Sequence, residues 1–184
     1  KHAIESALWD VHAKRQGESL ASVLGGVTDV VEVGAVVGMH DTIDAVVDEV
    51  MRRVNEGYAR VKIKIAPGHD AEVLAAVREA VGIEYALQAD ANGAYSAGDI
   101  DLLCSFDSYA LQFIEQPFAA HDLDSHAQLS QRSATSVCLD ESVMTTSQLL
   151  TALDLGACDV VNIKPSRVGG IREAVAMHDL LVER

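Results

Sequence analysis

The chain has 184 residues, 49% hydrophobic and 23% charged, a composition that suits one globular domain with a substantial core. Its formal net charge of −14 argues against a nucleic-acid partner. Apolar runs such as Val30–Val37 stop far short of the roughly 18 residues that a membrane span needs.

Ala3–Gln16 predicts an amphipathic helix carrying Glu5 and Asp10, without the separate apolar stretch and cleavage site of a signal peptide. Six β-branched runs follow: Val30–Val37, Arg60–Ile65, Tyr85–Asp90, Ala110–Glu115, Ser136–Asp140 and Asp159–Lys164. Helical periodicity fills the gaps between them. Thr42–Glu56 puts Ile43, Val46, Val47, Val50 and Val54 on one side and ends at Gly57. Ala71–Val81 repeats the plan and stops at Gly82, and Thr145–Gln148 has the form of a capping box whose helix ends near Gly156. Gly169–Val182 is the last helix. The cysteines Cys104, Cys138 and Cys158 form no CxxC pair. They read as reduced, mostly buried thiols of a cytoplasmic protein, with no disulfide framework or zinc site.

Strand alternating with helix at this pitch means parallel strands with crossover helices. Chemistry-bearing residues stand at the ends of several consecutive strands, which favours a (β/α) TIM-type barrel over an open, doubly wound sheet. A whole barrel needs eight strands and about 250 residues. The expectation is therefore an excerpt: residues 1–26 a helical segment leading in, and 27–184 a partial barrel with strands one to six.

Those strand ends carry the chemistry. In Val61-Lys62-Ile63-Lys64-Ile65, a period of two sends both lysines to one face. Buried ammonium groups need anions or a cleft, whereas an exposed edge strand would leave them solvated. The position within the repeat favours the buried reading. The next three strands end in Asp90, Glu115 and Asp140. Each alone reads equally well as a capping or loop acid. On neighbouring barrel strands they converge, and three carboxylates repel unless a cation neutralises them. Oxygen-only ligands select a hard ion such as Mg²⁺, with Mn²⁺ or another divalent ion as the alternative. Lys164 closes the series. Three of the chain's five lysines thus stand at predicted strand ends.

Lys62-x-Lys64, Asp90-x-Asn92, Glu115-Gln-Pro, Asp140-Glu-Ser and Lys164, spaced 24–26 residues apart from Lys64 onward, resemble the motif ladder of the enolase superfamily, in its muconate-lactonizing subgroup. Asn162-Ile-Lys-Pro-Ser-Arg-Val-Gly-Gly170 is most similar to the o-succinylbenzoate synthase / N-acylamino acid racemase family. The resemblance implies removal of a proton α to a carboxylate through an enediolate. Asp90, Glu115 and Asp140 would hold Mg²⁺, Lys64 and Lys164 would face each other across a small carboxylate substrate, and Lys62 would assist by charge. It implies the dehydration that forms o-succinylbenzoate in menaquinone biosynthesis. N-acylamino (N-succinylamino) acid racemisation is the alternative, then dipeptide epimerase or muconate cycloisomerase activity. It also implies a homo-oligomer at full length. The non-enzyme reading is an inactive fragment, lacking the capping domain and the last two strands.

Three further residues carry two readings each. Asn92 either bonds an oxygen at the metal or Lys164, or forms a turn before Gly93. Glu141 either orients a lysine or is solvated. Arg167 either binds a substrate carboxylate or lies in a surface loop.

Overall fold

Short, mostly apolar runs set the strands of the computed structural model, which describes residues 1–183. The strands are β1 Ala35–Val37, β2 Arg60–Lys64, β3 Ala86–Asp90, β4 Phe113–Glu115, β5 Ser136–Leu139 and β6 Val160–Val161. They pair in the order β1-β2-β3-β4-β5-β6, every neighbour parallel. Each crossover therefore steps to the next strand in one direction, the singly wound path of a (β/α) barrel. A doubly wound sheet would reverse at a switch point. Six of a barrel's eight strands are present among the described residues, so the fold is a partial TIM-type barrel.

The helices are α1 His2–Gln16, α2 Leu20–Val23, α3 Ile43–Asn55, α4 Ala71–Val81, α5 Ile100–Ser105, α6 Leu123–Arg132, α7 Thr146–Leu155, α8 Pro165–Val168 and α9 Ile171–Val182. Among the described residues, none is long and apolar enough to cross a membrane.

Contacts divide the chain into two units. The first comprises residues 32–142 and 151–161 and holds the whole sheet. Val61 and Ile63 of β2, Leu87 and Ala89 of β3, Ile114 of β4 and Val137 of β5 are fully buried in its core. Val46 and Val50 of α3 and Val73, Leu74 and Val77 of α4 join them. Each such aliphatic side chain contributes about 1.5–3 kcal/mol through burial. The caps are local: Thr42 Oγ1 accepts from Ala45 N at 3.2 Å to start α3, and Asp70 Oδ1 accepts from Ala71 N at 2.6 Å to start α4. The second unit comprises residues 1–31, 143–150 and 162–183. In it the Glu5 carboxylate accepts from Arg172 N at 3.0 Å, capping α9 where Gly170 has no side chain to do so. A Cβ at Gly170 would fall on Glu5 Oε2, 1.2 Å away, and its φ of +142° also requires glycine.

The structure departs from the sequence reading in several places, among them the unpredicted helix α5 and a β4 that begins at Phe113 rather than Ala110. β1 keeps only the last three residues of the Val30–Val37 run, and Val30, Val31 and Val33 are exposed. Its register pairs Ala35 with Val61, where β2 begins, so the earlier valines face no strand backbone. β6 stops at Val161, and Pro165 then opens the short helix α8. The helix α6 escaped notice because its covered side includes Ser125 and His126 beside Ala127 and Leu129, which blurs the apolar period. At α7, Gln148 N donates to Thr145 Oγ1 as the capping box requires, but Gln148 Oε1 accepts from Met144 N, one residue earlier than the motif's usual partner.

Candidate active site

Parallel register brings the site together. Lys64 pairs with Asp90 across β2 and β3, and Asp90 pairs with Glu115 across β3 and β4. Glu115 pairs with Cys138 of β5, and Asp140 lies two residues further on, so the strand period returns its side chain to the same face. Lys62 precedes Lys64 by the same interval. The three acids are almost fully covered, at 2% exposed for Asp90 and Glu115 and 1% for Asp140. Carboxylates buried this deeply need compensating charge.

For Asp90 and Glu115, lysines supply it. Lys62 Nζ donates to Glu115 Oε2 at 2.6 Å and lies 3.0 Å from Asp90 Oδ2. Lys64 Nζ donates to Asp90 Oδ2 at 2.7 Å and also to Asn92 Oδ1. Burial works to lower the Lys62 pKa, but its bonds to Glu115 and Asp90 outweigh that cost and hold it above the ordinary lysine value. Asn92, in the left-handed region at φ 45°, takes up the turn reading, and its side chain bonds Lys64 and Glu141, which that reading did not name. Its backbone N–H donates to Asp90 Oδ1 at 3.1 Å, forming a turn, while Nδ2 donates to Glu141 Oε1 at 3.0 Å. Lys62, Lys64, Asp90, Asn92, Glu115 and Glu141 therefore form one linked network. Lys164 and Arg167 belong to the second unit, where Lys164 is the N-cap of α8 and Arg167 lies within that helix.

The donor set can be tested against a cation. Among the described residues, no three His, Cys, Asp or Glu side chains stand in a metal-holding arrangement as drawn. The Lys62 ammonium sits between Asp90 and Glu115, where a cation would otherwise neutralise them. Two observations fit an ion. Asp90, Glu115 and Asp140 offer oxygen donors alone on successive strand ends, the chemistry of a hard divalent ion. Glu141 Oε2 is buried and accepts no hydrogen bond. The donor chemistry of these residues suits a Mg²⁺-class ion.

One residue at the site went unrecognised in the sequence except as the middle of Glu115-Gln-Pro. Gln116 is 1% exposed and adopts φ 42°. Its N–H donates to Cys138 O at 2.8 Å, its carbonyl accepts from Gly93 N at 2.7 Å, and its Oε1 accepts from Asp140 N and Ser142 N at 3.0 and 3.1 Å. The only signal in the sequence was an amide side chain immediately after a strand-end acid.

Known proteins are similar to this chain. The o-succinylbenzoate synthase of Geobacillus kaustophilus is 45% identical over 184 residues, covering 100% of this chain and 49% of that protein. The N-succinylamino acid racemase of an Amycolatopsis species is 44% identical over 180 residues, covering 98% of this chain and 49% of that protein. Among solved structures, the dipeptide epimerase of Enterococcus faecalis V583, complexed with Mg and the dipeptide L-Leu-L-Tyr, superposes with a TM-score of 0.94 at 28% identity, covering 99% of this chain and 52% of that one. The chain spans about half the length of the curated relatives it matches. The family model described as enolase C-terminal domain-like matches residues 45–183. With that match over most of its length and the acids and lysines on successive strand ends, the chain belongs to the enolase C-terminal domain-like family.

Proposed function

We propose that the strand-end rim of the first unit is the site of proton abstraction α to a carboxylate, and that the protein forms o-succinylbenzoate by dehydration. The observation that carries this reading is the placement of three buried carboxylates and two lysines on one face at the ends of four consecutive strands. Asp90, Glu115 and Asp140 would hold Mg²⁺. When bound, the ion supplies positive charge for the two negative oxygens of the enediolate.

The chain's own residues do the rest. A lysine is a base only as the neutral amine, a form that neighbouring positive charge favours. Lys62 and Lys64 share the Asp90 carboxylate, which places both amines on the same side of the rim. The Lys64 amine takes the α-proton, and the C–H electron pair passes into the substrate carboxylate as an enediolate. In the dehydration, those electrons return to expel the neighbouring hydroxyl, which leaves as water with a proton from Lys64. Asn92 and Glu141 hold the Lys64 side of the rim in place. Lys164 stabilises the anion, and Arg167 binds a distal carboxylate of the substrate.

A second reading has specific support. Two N-succinylamino acid racemases match this chain at 44% identity, within the 37–45% range of the o-succinylbenzoate synthases. The first half-reaction is common to both, and racemisation would return the proton from Lys164. The test is ¹H NMR in D₂O with Mg²⁺, following α-proton exchange of N-succinylamino acids and, separately, formation of o-succinylbenzoate. Mg²⁺-dependent product formation that disappears in Lys64→Met supports the synthase, and exchange with inversion alone supports the racemase. Neither exchange nor product sinks the proposal.

A further inference from the structure

We infer that Gln116, oriented by the buried His126, is a positioning residue that ties together the three strand-end segments whose carboxylates would hold a divalent ion. The inference rests on the reading that Asp90, Glu115 and Asp140 bind that ion.

Gln116 follows Glu115 directly, and its bonds reach the loops behind both other acids. Its carbonyl holds Gly93 N, three residues past Asp90. Its side-chain Oε1 holds the backbone N–H of Asp140 itself and of Ser142, which fills both lone pairs of that oxygen. One residue thus joins the three acid-bearing segments. Its left-handed backbone is an uncommon conformation for a residue other than glycine, and it is what turns the side chain from the strand toward β5.

The amide works only one way round. Oxygen must face Asp140 N and Ser142 N, so the NH₂ group must face Phe118 O at 3.0 Å, Ser142 Oγ at 2.7 Å and His126 Nε2 at 3.3 Å. His126 enforces that orientation. Its Nδ1 stands 2.7 Å from Asp122 O, a carbonyl that can only accept, so Nδ1 carries the proton. Nε2 is then a bare acceptor, facing the Gln116 NH₂ and, at 3.4 Å, Phe118 N. The ring is 0% exposed and packs edge-on against Phe118, with centroids 5.1 Å apart, so the imidazole cannot turn to offer another face. A flipped Gln116 amide would set oxygen against that bare nitrogen and NH₂ against two backbone N–H groups. α6, which carries His126, thereby fixes the side chain that directly follows β4, and that side chain fixes the turn that delivers Asp140.

The test is Mn²⁺ titration of the chain, followed by the electron paramagnetic resonance of free Mn²⁺, with thermal denaturation of each variant. Supporting groups behind metal ligands typically change affinity by about 10–100-fold. Gln116→Met, of similar length and without hydrogen bonds, should weaken Mn²⁺ binding by about that factor. His126→Phe should weaken it in the same direction by less, because Gln116 keeps its bonds but loses its orienting acceptor. Val50→Ala, a cavity in α3 among the buried core residues, should lower the melting temperature and leave Mn²⁺ affinity at the wild-type value. Wild-type affinity in Gln116→Met overturns the inference, as does an equal loss in Val50→Ala. If Gln116→Met does not fold, His126→Phe decides, and unchanged affinity there overturns it. A wild-type chain that binds no Mn²⁺ overturns the metal reading and this inference together. Binding by the wild type that Gln116→Met retains overturns this inference alone.

Discussion

Arg78 is buried at 8% exposed, and all of its hydrogen bonds go to carbonyl oxygens. Nε donates to Tyr109 O at 2.7 Å, one terminal nitrogen to Gly82 O and Tyr85 O at 2.7 and 2.8 Å, and the other to Ala110 O at 3.0 Å. Gly82 caps α4, Tyr85 precedes β3, and Tyr109 and Ala110 precede β4. The guanidinium therefore pins the starts of the two strands whose far ends carry Asp90 and Glu115. Arg78→Met keeps the apolar stem and removes every donor. Bonds to a charged group are worth about 1.5–3 kcal/mol each, but they are not additive and some freed carbonyls will find water. Net of that compensation, about 4 kcal/mol is the loss expected from bonds at Nε and both terminal nitrogens. A loss of about 4 kcal/mol lowers the melting temperature by about 8–16 °C in a chain of this length. Arg78→Lys, with one nitrogen in place of a fork, should recover no more than about half of that loss. Urea denaturation followed by circular dichroism measures both. A change under about 1 kcal/mol in Arg78→Met would refute the reasoning, because losses of that size are those of an exposed side chain.

Three further outcomes follow from the same structure. Asp90→Asn should abolish detectable divalent-ion binding by calorimetry while leaving the far-ultraviolet circular dichroism unchanged, because the side chain keeps its shape but loses the charge that both lysines and the ion require. Burial opposes ionisation of Asp107, but donation by Ser133 Oγ, Ala134 N and Thr135 N outweighs it and holds the carboxyl below its ordinary 3.8. A depressed folded pKa contributes stability above the unfolded value that is lost as pH falls through the folded one. The difference in urea midpoint between wild type and Asp107→Asn should therefore shrink below about pH 4. Cys158 is pushed from 9.0 up to about 11 by burial, with Asp159 adding to the shift. Two units mean about 100-fold less thiolate at neutral pH, so native Cys158 should react with a disulfide reagent about 100-fold more slowly than in urea.

The ladder was legible because it is written in identity and spacing alone. Lysine and acid at strand ends about 25 residues apart need no knowledge of tertiary packing, and the register of β2, β3 and β4 aligned Lys64, Asp90 and Glu115 as the period required. The strand bounds were less legible. A run such as Val30–Val37 has strand propensity throughout, but pairing is a property of the neighbouring backbone, and only Ala35–Val37 has one. Lys164 looked like a strand-end residue, yet β6 pairs only through Val161 and Lys164 caps the next helix. Gln116 and His126 were least visible. Their importance lies in hydrogen-bond direction and in a positive φ, neither of which leaves a trace in composition or periodicity. Arg78 was hidden for a similar reason, since an arginine in an amphipathic helix is ordinarily solvated and this one is surrounded by carbonyls from two distant loops.

The central claim is that the rim built by β3, β4 and β5 is a divalent-cation site from which Lys62 and Lys64 are displaced. Anomalous diffraction from crystals grown with Mn²⁺ tests it most directly. The account predicts one strong peak about 2.0–2.2 Å from oxygens of Asp90, Glu115 and Asp140 together, with Lys62 Nζ withdrawn from the 2.6 Å contact it makes with Glu115 here. A peak on any other residues, or no peak with Lys62 still seated between Asp90 and Glu115, would contradict it.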